Sequence, residues 1–256
     1  MNSDMGGNVL IVPDVHGRDF WREPVMKALE EGDARIVFLG DYLDPYSDDF
    51  EHGVNYHERA IAVFNEIIGL KKEHPDRITL LLGNHDCGYR FNLDICDVRT
   101  DYANFERIKD IFTANKDLFQ LADEEYVGEK HFVMSHAGIS KTYAEFVFAD
   151  EVNEENVVRL FNEAYKAEDK DFVHSLGIFD KYRGYWGMSF ASLVWTDART
   201  WYDNKDTEYG YGYEVFGHTQ LNKGCDGLIE EKFADIDCRK VFCINDLGEL
   251  KNFSDE

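Results

Sequence analysis

Apolar runs in this chain repeatedly end in aspartate, histidine or asparagine. Six such segments follow in order: Asp14-Val15-His16-Gly17, Gly40-Asp41-Tyr42-Leu43-Asp44, Gly83-Asn84-His85-Asp86, Ser135-His136-Ala137-Gly138, Trp195-Thr196-Asp197-Ala198-Arg199 and Gly217-His218-Thr219. The first four and the last each follow or end a run that reads as a buried strand. Strand ends gathered along one sheet edge are where α/β proteins place their chemistry. Aspartate, histidine and asparagine are hard and borderline ligands, and gathered at one edge they point to a paired-metal site. Singly, each has an ordinary reading: an aspartate at a strand end caps a turn, and a histidine on an apolar strand is a hydrogen-bonded core residue. Their ordered recurrence outweighs those readings.

The patterns between the motifs set the fold class. Residues 8–13, 36–39 and 78–82 are short β-branched apolar runs, as expected of strands buried on both faces. Between them, residues 20–31 and 55–72 carry apolar positions at helical spacing, the second through Ala60, Ile61, Phe64, Ile67 and Ile68 and closed by Pro75. That rhythm is a βαβαβ unit with parallel strands and right-handed crossovers. In the second half, residues 132–135, 214–216, 232–236 and 241–244 read as strands, the last two spaced as a hairpin. Residues 152–167 read as a helix, with the acids of 151–155 favouring its N-terminal dipole. An α/β chain with two sheets packed face to face and flanked by helices satisfies both halves. No linker, repeat or low-complexity run divides the 256 residues, so the expectation is one domain, 1–256, with a mostly helical insertion at about 140–192.

Composition narrows the partners. Apolar residues make up 44% and aromatics 14%, which suits a chain with a packed core. With 51 acidic against 27 basic residues the net charge is −24, a surface that repels nucleic acid and anionic membranes. Bound divalent cations reverse such a field locally, so a phosphorylated substrate stays admissible. The five cysteines form no Cys-x-x-Cys pair, which argues against a disulfide framework or zinc ribbon. Residues 1–7 are polar, which predicts no signal peptide, and no apolar stretch reaches the roughly 18–20 residues of a membrane span. A soluble cytoplasmic protein is expected.

The chemistry can be assigned residue by residue. Two divalent metals about 3.5–4 Å apart need one carboxylate that touches both, and Asp41 lies between the other ligand pairs. Asp14 and His16 grip the first metal, and Asn84, His136 and His218 complete the second. Imidazoles and an amide beside two carboxylates suit Mn²⁺, Fe or Zn²⁺ better than Mg²⁺ or Ca²⁺. Such metals polarise a phosphoryl oxygen and bring a bound water's pKa toward ~7. His85 is placed as the acid for the leaving oxygen, with Asp44 orienting its ring. Arg199 is the expected phosphate clamp. Histidines 52, 57, 74, 131 and 174 are expected to be solvated on helices and loops. The aromatic stretches 182–186 and 201–213 read as loop packing, or as a rim that stacks a base or peptide.

As a set, the motifs resemble those of the calcineurin-like metallophosphoesterases, and most the branch of phosphoprotein phosphatases and diadenosine tetraphosphatases. The family pattern of Asp-x-His-Gly, Gly-Asp-x-x-Asp, Gly-Asn-His-Asp/Glu, a strand-borne His-Gly-Gly and Gly-His-Thr reads here as Asp14–Gly17, Gly40–Asp44, Gly83–Asp86, His136-Ala137-Gly138 and Gly217–Thr219. The resemblance spans residue 9 to about 245. It implies a four-layer α/β/β/α fold, a dinuclear metal site, and phosphoester hydrolysis by metal-bound hydroxide without a phosphoenzyme. It assigns the same six ligands and the same His85–Asp44 pair.

Two departures stand out. Protein phosphatases of this type carry a phosphate-binding arginine straight after the second aspartate, where this chain has Pro45-Tyr46. Either Arg90 or Arg18 replaces it, or the substrate needs only one arginine. Pro13 precedes Asp14 where glycine is commoner, which a strand end tolerates. The expected activity is hydrolysis of phosphate monoesters on a phosphoprotein or small molecule. The alternatives are a dinucleoside polyphosphate hydrolase and a catalytically silent scaffold of the same fold; retention of His85 argues against the last.

Overall fold

The computed structural model describes residues 9–32, 34–93, 98–183, 187–203 and 210–253. Its first half is the βαβαβ unit: β1 (Val9–Val12), α1 (Arg22–Glu31), β2 (Arg35–Phe38), α2 (Tyr56–Glu73) and β3 (Ile78–Leu81). There follow α3 (Asn84–Phe91), α4 (Phe105–Ala114), β4 (Phe119–Gln120), β5 (Ala122–Val127), β6 (Lys130–Ser135), α5 (Lys141–Phe148), α6 (Val157–Ala167), α7 (Lys170–Ser175) and α8 (Ala198–Asp203). The chain ends in β7 (Tyr213–Phe216), β8 (Leu228–Ile229), β9 (Phe233–Asp235), β10 (Phe242–Ile244) and β11 (Leu250–Asn252). Helix α2 starts where Asn55 accepts the Glu58 N–H at 3.3 Å, and Lys71 and Lys72 sit in its last turn, where the dipole favours cations.

The strands form two mixed sheets. The first runs β11-β10-β1-β2-β3-β4, and the second β5-β6-β7-β9-β8. In the first, β1 to β4 are parallel, with Leu10 opposite Ile36 and Ile36 opposite Ile78. In the second, β6, β7 and β9 are parallel, while β5 and β8 run antiparallel at the edges. The pleat sorts side chains by face. Val9, Ile11, Val37, Leu39 and Leu81 meet Phe132, Met134, Val215 and Ala234 between the sheets. Leu10, Val12, Ile36, Phe38 and Leu80 turn the other way, onto Trp21 and Val25 near and in α1 and Ile61, Phe64 and Ile67 of α2. Behind the second sheet, Phe216 and Phe233 pack on Trp201 of α8. Helix, sheet, sheet, helix is thus the layering that the apolar faces dictate.

Three expectations need correction. The spacing of residues 232–236 and 241–244 suggested a hairpin, but β9 pairs with β7 and β8 in the second sheet and β10 with β1 and β11 in the first. Arg239, at φ +64, turns the chain from one sheet to the other. Helix α6 begins at Val157, not 152, because Asn153 and Asn156 bond each other's turn: Asn153 N–H to Asn156 Oδ1 at 2.8 Å and Glu155 N–H to Asn153 Oδ1 at 2.9 Å. Such side-chain bonds to the backbone compete with helix. His131 is not solvated: it lies on β6, is 7% exposed, meets Glu124 at 2.9 Å and stacks on Tyr126. Of the aromatic stretches, residues 184–186 and 204–209 lie outside the described residues. Trp201 is packing, with its indole N–H on the Ala137 carbonyl at 3.2 Å. No described helix is long and apolar enough to cross a membrane.

Phe64 is the hub of the helix layer, stacked on Tyr42 at 5.1 Å and within 4.7 Å of Phe112 and 6.0 Å of Phe119. Phe64→Ala is expected to lower the urea unfolding free energy by about 3–5 kcal/mol. Tyr102→Ala, at a site 82% exposed, should change it by less than about 0.5 kcal/mol. Equal effects would mean that α2 does not anchor the layer.

Candidate metal centre

The motif residues meet where the carboxyl ends of parallel strands from both sheets converge. Asp14 and His16 follow β1, Asp41 and Asp44 follow β2, Asn84 and His85 open α3 just past β3, His136 follows β6, and His218 follows β7. All are at least nine-tenths buried. The loops touch backbone to backbone. A Cβ on Gly40, whose φ is +107, would come within 2.3 Å of the Gly83 nitrogen, and one on Gly83 within 2.1 Å of Asp41 Oδ1. Only glycine at both positions allows that approach. Asp86 ties the two loops, its carboxylate accepting the N–H groups of Asp41 at 2.7 Å, Gly83 at 2.9 Å and Tyr42 at 3.2 Å. Burial still pushes that carboxyl up to about 7. His16, Asp41, Asp44 and His218 all have left-handed backbones, with φ of +44, +50, +55 and +67. At roughly 1–3 kcal/mol each, such strain persists only where the surroundings impose it.

The side chains then present lone pairs to one another. Asp41 Oδ2 lies 3.5 Å from His16 Nε2, 3.6 Å from His136 Nε2 and 3.9 Å from His85 Nε2. Asp14 Oδ2 is 3.9 Å from His16 Nε2, while its Oδ1 accepts the His218 N–H at 3.0 Å. His136 Nε2 faces Asn84 Oδ1 at 3.0 Å and His218 Nδ1 at 3.1 Å. The far nitrogens fix the tautomers. His16 Nδ1 donates to the Leu43 carbonyl at 2.6 Å and His136 Nδ1 to that of Leu39 at 3.0 Å, so each neutral ring turns an unprotonated Nε2 inward. Burial holds the pKa values of His16, His136 and His218 low, for His16 and His218 well below the usual range. Asp41 moves the opposite way. Burial raises its carboxyl well above the usual range; His85 opposes this, and Asp14 and Asp86 add to it.

Neutral imidazoles and an amide oxygen aimed at a pair of buried carboxylates form a donor set that a cation would complete. Two close groups stand out, His16 with Asp41 and His85, and Asp41 with His136 and His218; Asp41 belongs to both. His85 differs from the other rings. Its Nδ1 meets Asp44 Oδ2 at 2.7 Å, and Asp44 Oδ1 in turn accepts from the Tyr89 hydroxyl and the Asp101 N–H. Burial lowers its pKa, but the charge of Asp41 and the bond and charge of Asp44 outweigh that and raise it. One ring among four is therefore held toward its protonated form.

Residues 7–221 match the calcineurin-like phosphoesterase family. The chain belongs to that family. It is 25% identical over 148 residues to a probable serine/threonine-protein phosphatase of Encephalitozoon cuniculi (strain GB-M1), a match over 54% of this chain that spans only 28% of the relative's length. Among solved structures, a serine/threonine phosphatase from Saccharomyces cerevisiae with similarity to human phosphatase PP5 superposes with a TM-score of 0.52 at 14% identity, over 95% of this chain and 74% of the other. A cold-active protein tyrosine phosphatase gives 0.53 at 13% identity, over 98% and 83%. At these identities the structures speak for the fold.

In this member of the family, the arginines are where the sequence reading and the structure part. The cavity over the donors, about 140 Å³, is lined by Arg99 and Arg183 together with Tyr46, Val98, Trp195 and Asp237. Arg199 is not brought there. Its side chain is 61% exposed and folds back on Asp197, at 2.8 Å through Nε and 3.0 Å through Nη2. Asp197 also holds Arg183, at 3.1 Å, so Arg199 braces the residue that orients a cavity arginine. Arg18 is engaged with Asp49 at 2.7 Å and Arg90 with Glu168. Arg99 and Arg183 carry no motif of their own, and sequence offered no signal for either. Asp237, at the turn after β9, was legible only as an acid past a strand end. A larger groove of about 560 Å³, lined by His131 and Tyr213 among others, shares no residue with the donors.

Glu214 supports the site from behind. Fully buried on β7, it accepts the N–H groups of Ile139 at 3.1 Å and Tyr211 at 3.2 Å, steadying the loop that follows His136. Burial raises its carboxyl from 4.5 to about 8, against the pull of those two bonds. The folded chain thus holds a proton that the unfolded chain releases above pH 4.5. That stabilisation is complete below 4.5 and is lost as pH climbs to about 8. Wild type should therefore lose unfolding free energy relative to Glu214→Gln across this window, by a few kcal/mol at most, with the gap level above it. A gap that does not change with pH would place water at this carboxyl.

Proposed function

We propose that the chain is a metal-dependent phosphomonoesterase with a dinuclear centre. The observation that carries this reading is the Asp41 carboxylate, shared between two histidine groups, one of which includes His85, the ring held by the Asp44 carboxylate. In this reading Asp14 and His16 would hold one ion and Asn84, His136 and His218 the other, with Asp41 shared between the two groups. The mix of nitrogen and oxygen donors suits Mn²⁺ best, with Fe or Zn²⁺ in the same range. Bound there, two divalent ions would supply Lewis acidity to activate water and screen the phosphoryl charge. His85, fixed by Asp44 through Nδ1, keeps its Nε2–H toward the cavity and gives that proton to the leaving oxygen. Asp44 does not move the proton itself; its second oxygen is tied to Tyr89 and Asp101, so it sets ring orientation.

The cavity of about 140 Å³ has room for a phosphoryl group over the donors, and a monoester's organic part would extend from it. The substrate is a phosphoprotein or a small phosphorylated molecule. A panel of phosphopeptides, mononucleotides and dinucleoside polyphosphates, assayed with Mn²⁺, tests the choice; turnover confined to dinucleoside polyphosphates would overturn the monoester reading. His85→Ala should retain its metal by elemental analysis while kcat falls roughly 10²–10⁴-fold. Loss of metal in that variant would make His85 a ligand instead of the acid. Asp41→Asn should lose at least one metal equivalent, and full loading with normal turnover would refute the bridging role.

A further inference from the structure

The arginine that the family places after the second aspartate is absent, and Pro45-Tyr46 stands there. Tyr46 nonetheless lines the cavity, its ring edge-on to the His16 ring at 5.4 Å. The Arg99 guanidinium lies 3.4 Å from the centre of that ring, a cation–π seat, with Arg18 farther off at 5.3 Å. Arg99 also donates through Nη2 at 3.1 Å and Nε at 3.4 Å to the backbone carbonyl of Asp44. Both bonds use the side edge of the planar fork, which leaves its end for a bidentate anion. Among the described residues its anchors are a carbonyl and a ring, so its charge is not spent on a carboxylate. Arg183, the other cavity arginine, is already paired with Asp197 at 3.1 Å and bonded to Thr219 at 3.1 Å.

We infer that Arg99, seated on Tyr46, binds the substrate's phosphoryl oxygens in place of the missing arginine. The inference rests on the phosphomonoesterase reading. Tyr46 is then a positioning residue: its ring fixes the guanidinium beside the donors without touching substrate. The anchor on Asp44 couples the clamp to the residue that orients His85. Phosphate position and acid position are thereby set by one short segment, Asp44-Pro45-Tyr46.

The test measures inorganic phosphate binding to the Mn²⁺-loaded protein by calorimetry, alongside steady-state hydrolysis of an aryl phosphate. Losing a charge-assisted bond of this kind should weaken phosphate binding by about 10–100-fold in Arg99→Ala. KM should rise by a similar factor with a smaller change in kcat, and Arg99→Lys should restore part of the affinity. Tyr46→Phe should match wild type, because the ring is kept, whereas Tyr46→Ala should weaken phosphate binding in the same direction as Arg99→Ala. Arg90→Ala, outside the cavity and paired with Glu168, serves as the control that changes neither reading. Unchanged phosphate affinity in Arg99→Ala, with a loss in Arg183→Ala, would overturn the inference. If wild type binds phosphate through Arg99 yet hydrolyses nothing, the clamp stands and the phosphomonoesterase reading fails.

Discussion

A carboxylate buried where its charge has no solvent is the constraint from which the rest of this site follows. Asp41 is 2% exposed, with Asp14 and Asp86 nearby and neutral imidazoles on two sides. Burying an uncompensated charge is costly, and carboxylates crowded together raise each other's pKa. Divalent cations remove that cost by replacing water as the partner. The same dependence explains why the backbone accepts left-handed conformations at His16, Asp41, Asp44 and His218. Loops free to relax would not retain four such residues; these are clamped by Asp86, by the close approach of Gly40 and Gly83, and by the His16 N–H on the Asp41 carbonyl at 2.7 Å. Strain is stored at the site and met by burial in the sheets behind it.

Two sheets are needed to make the constraint. The carboxyl ends of β1, β2 and β3 bring Asp14, His16, Asp41, Asn84 and His85, and those of β6 and β7 bring His136 and His218. The inter-sheet core of Val9, Ile11, Val37, Met134 and Val215 holds the two edges together, so packing far from the donors sets their separation. The bonds across the seam are direct: Gly217 N–H to the His136 carbonyl at 2.9 Å within the second sheet, and His218 N–H to Asp14 Oδ1 at 3.0 Å between the sheets.

What the sequence revealed, and what it hid, divides along the reach of each interaction. The donors were legible because each sits within four residues of a strand end, and local spacing carries that. The parallel unit was legible because its strands are buried on both faces and its helices are long. The short edge strands β4, β8 and β11 were missed, since two or three residues show no period. The false hairpin came from reading proximity along the chain as pairing, when the turn around Arg239 sends β10 to the other sheet. His131 looked like any polar residue because its partners Glu124 and Tyr126 both sit on β5, the paired strand that the sequence pattern did not reveal. Arg99 and Arg183 were hidden for the same reason. Their place in the cavity depends on Tyr46, Asp44, Asp197 and Thr219, contacts between 14 and 55 residues distant in sequence. Arg199, adjacent to a recognisable motif, lies outside the cavity lining and reaches it only through Asp197, which it shares with Arg183.

A net charge of −24 should repel the anionic substrate that such a site would take. The arrangement of charge near the cavity resolves this. Surface charges farther than about 8 Å away are largely screened at physiological ionic strength, whereas groups at contact in a buried site are not. Around the donors the chain gathers several cations. Arg18 and Arg239 share Asp49, each at 2.7 Å, behind Tyr46, and Arg99 and Arg183 line the cavity itself. The carboxylates there are turned inward: Asp44 to His85, Asp86 to backbone N–H groups, and Asp41 and Asp14 to the histidines. Guanidinium groups and carboxylates, Asp237 among them, line the same cavity, so an anion that enters it meets Arg99 and Arg183 at contact range. Recognition in such a protein is carried at contact range, by side chains whose positions the fold fixes, and not by a long-range field.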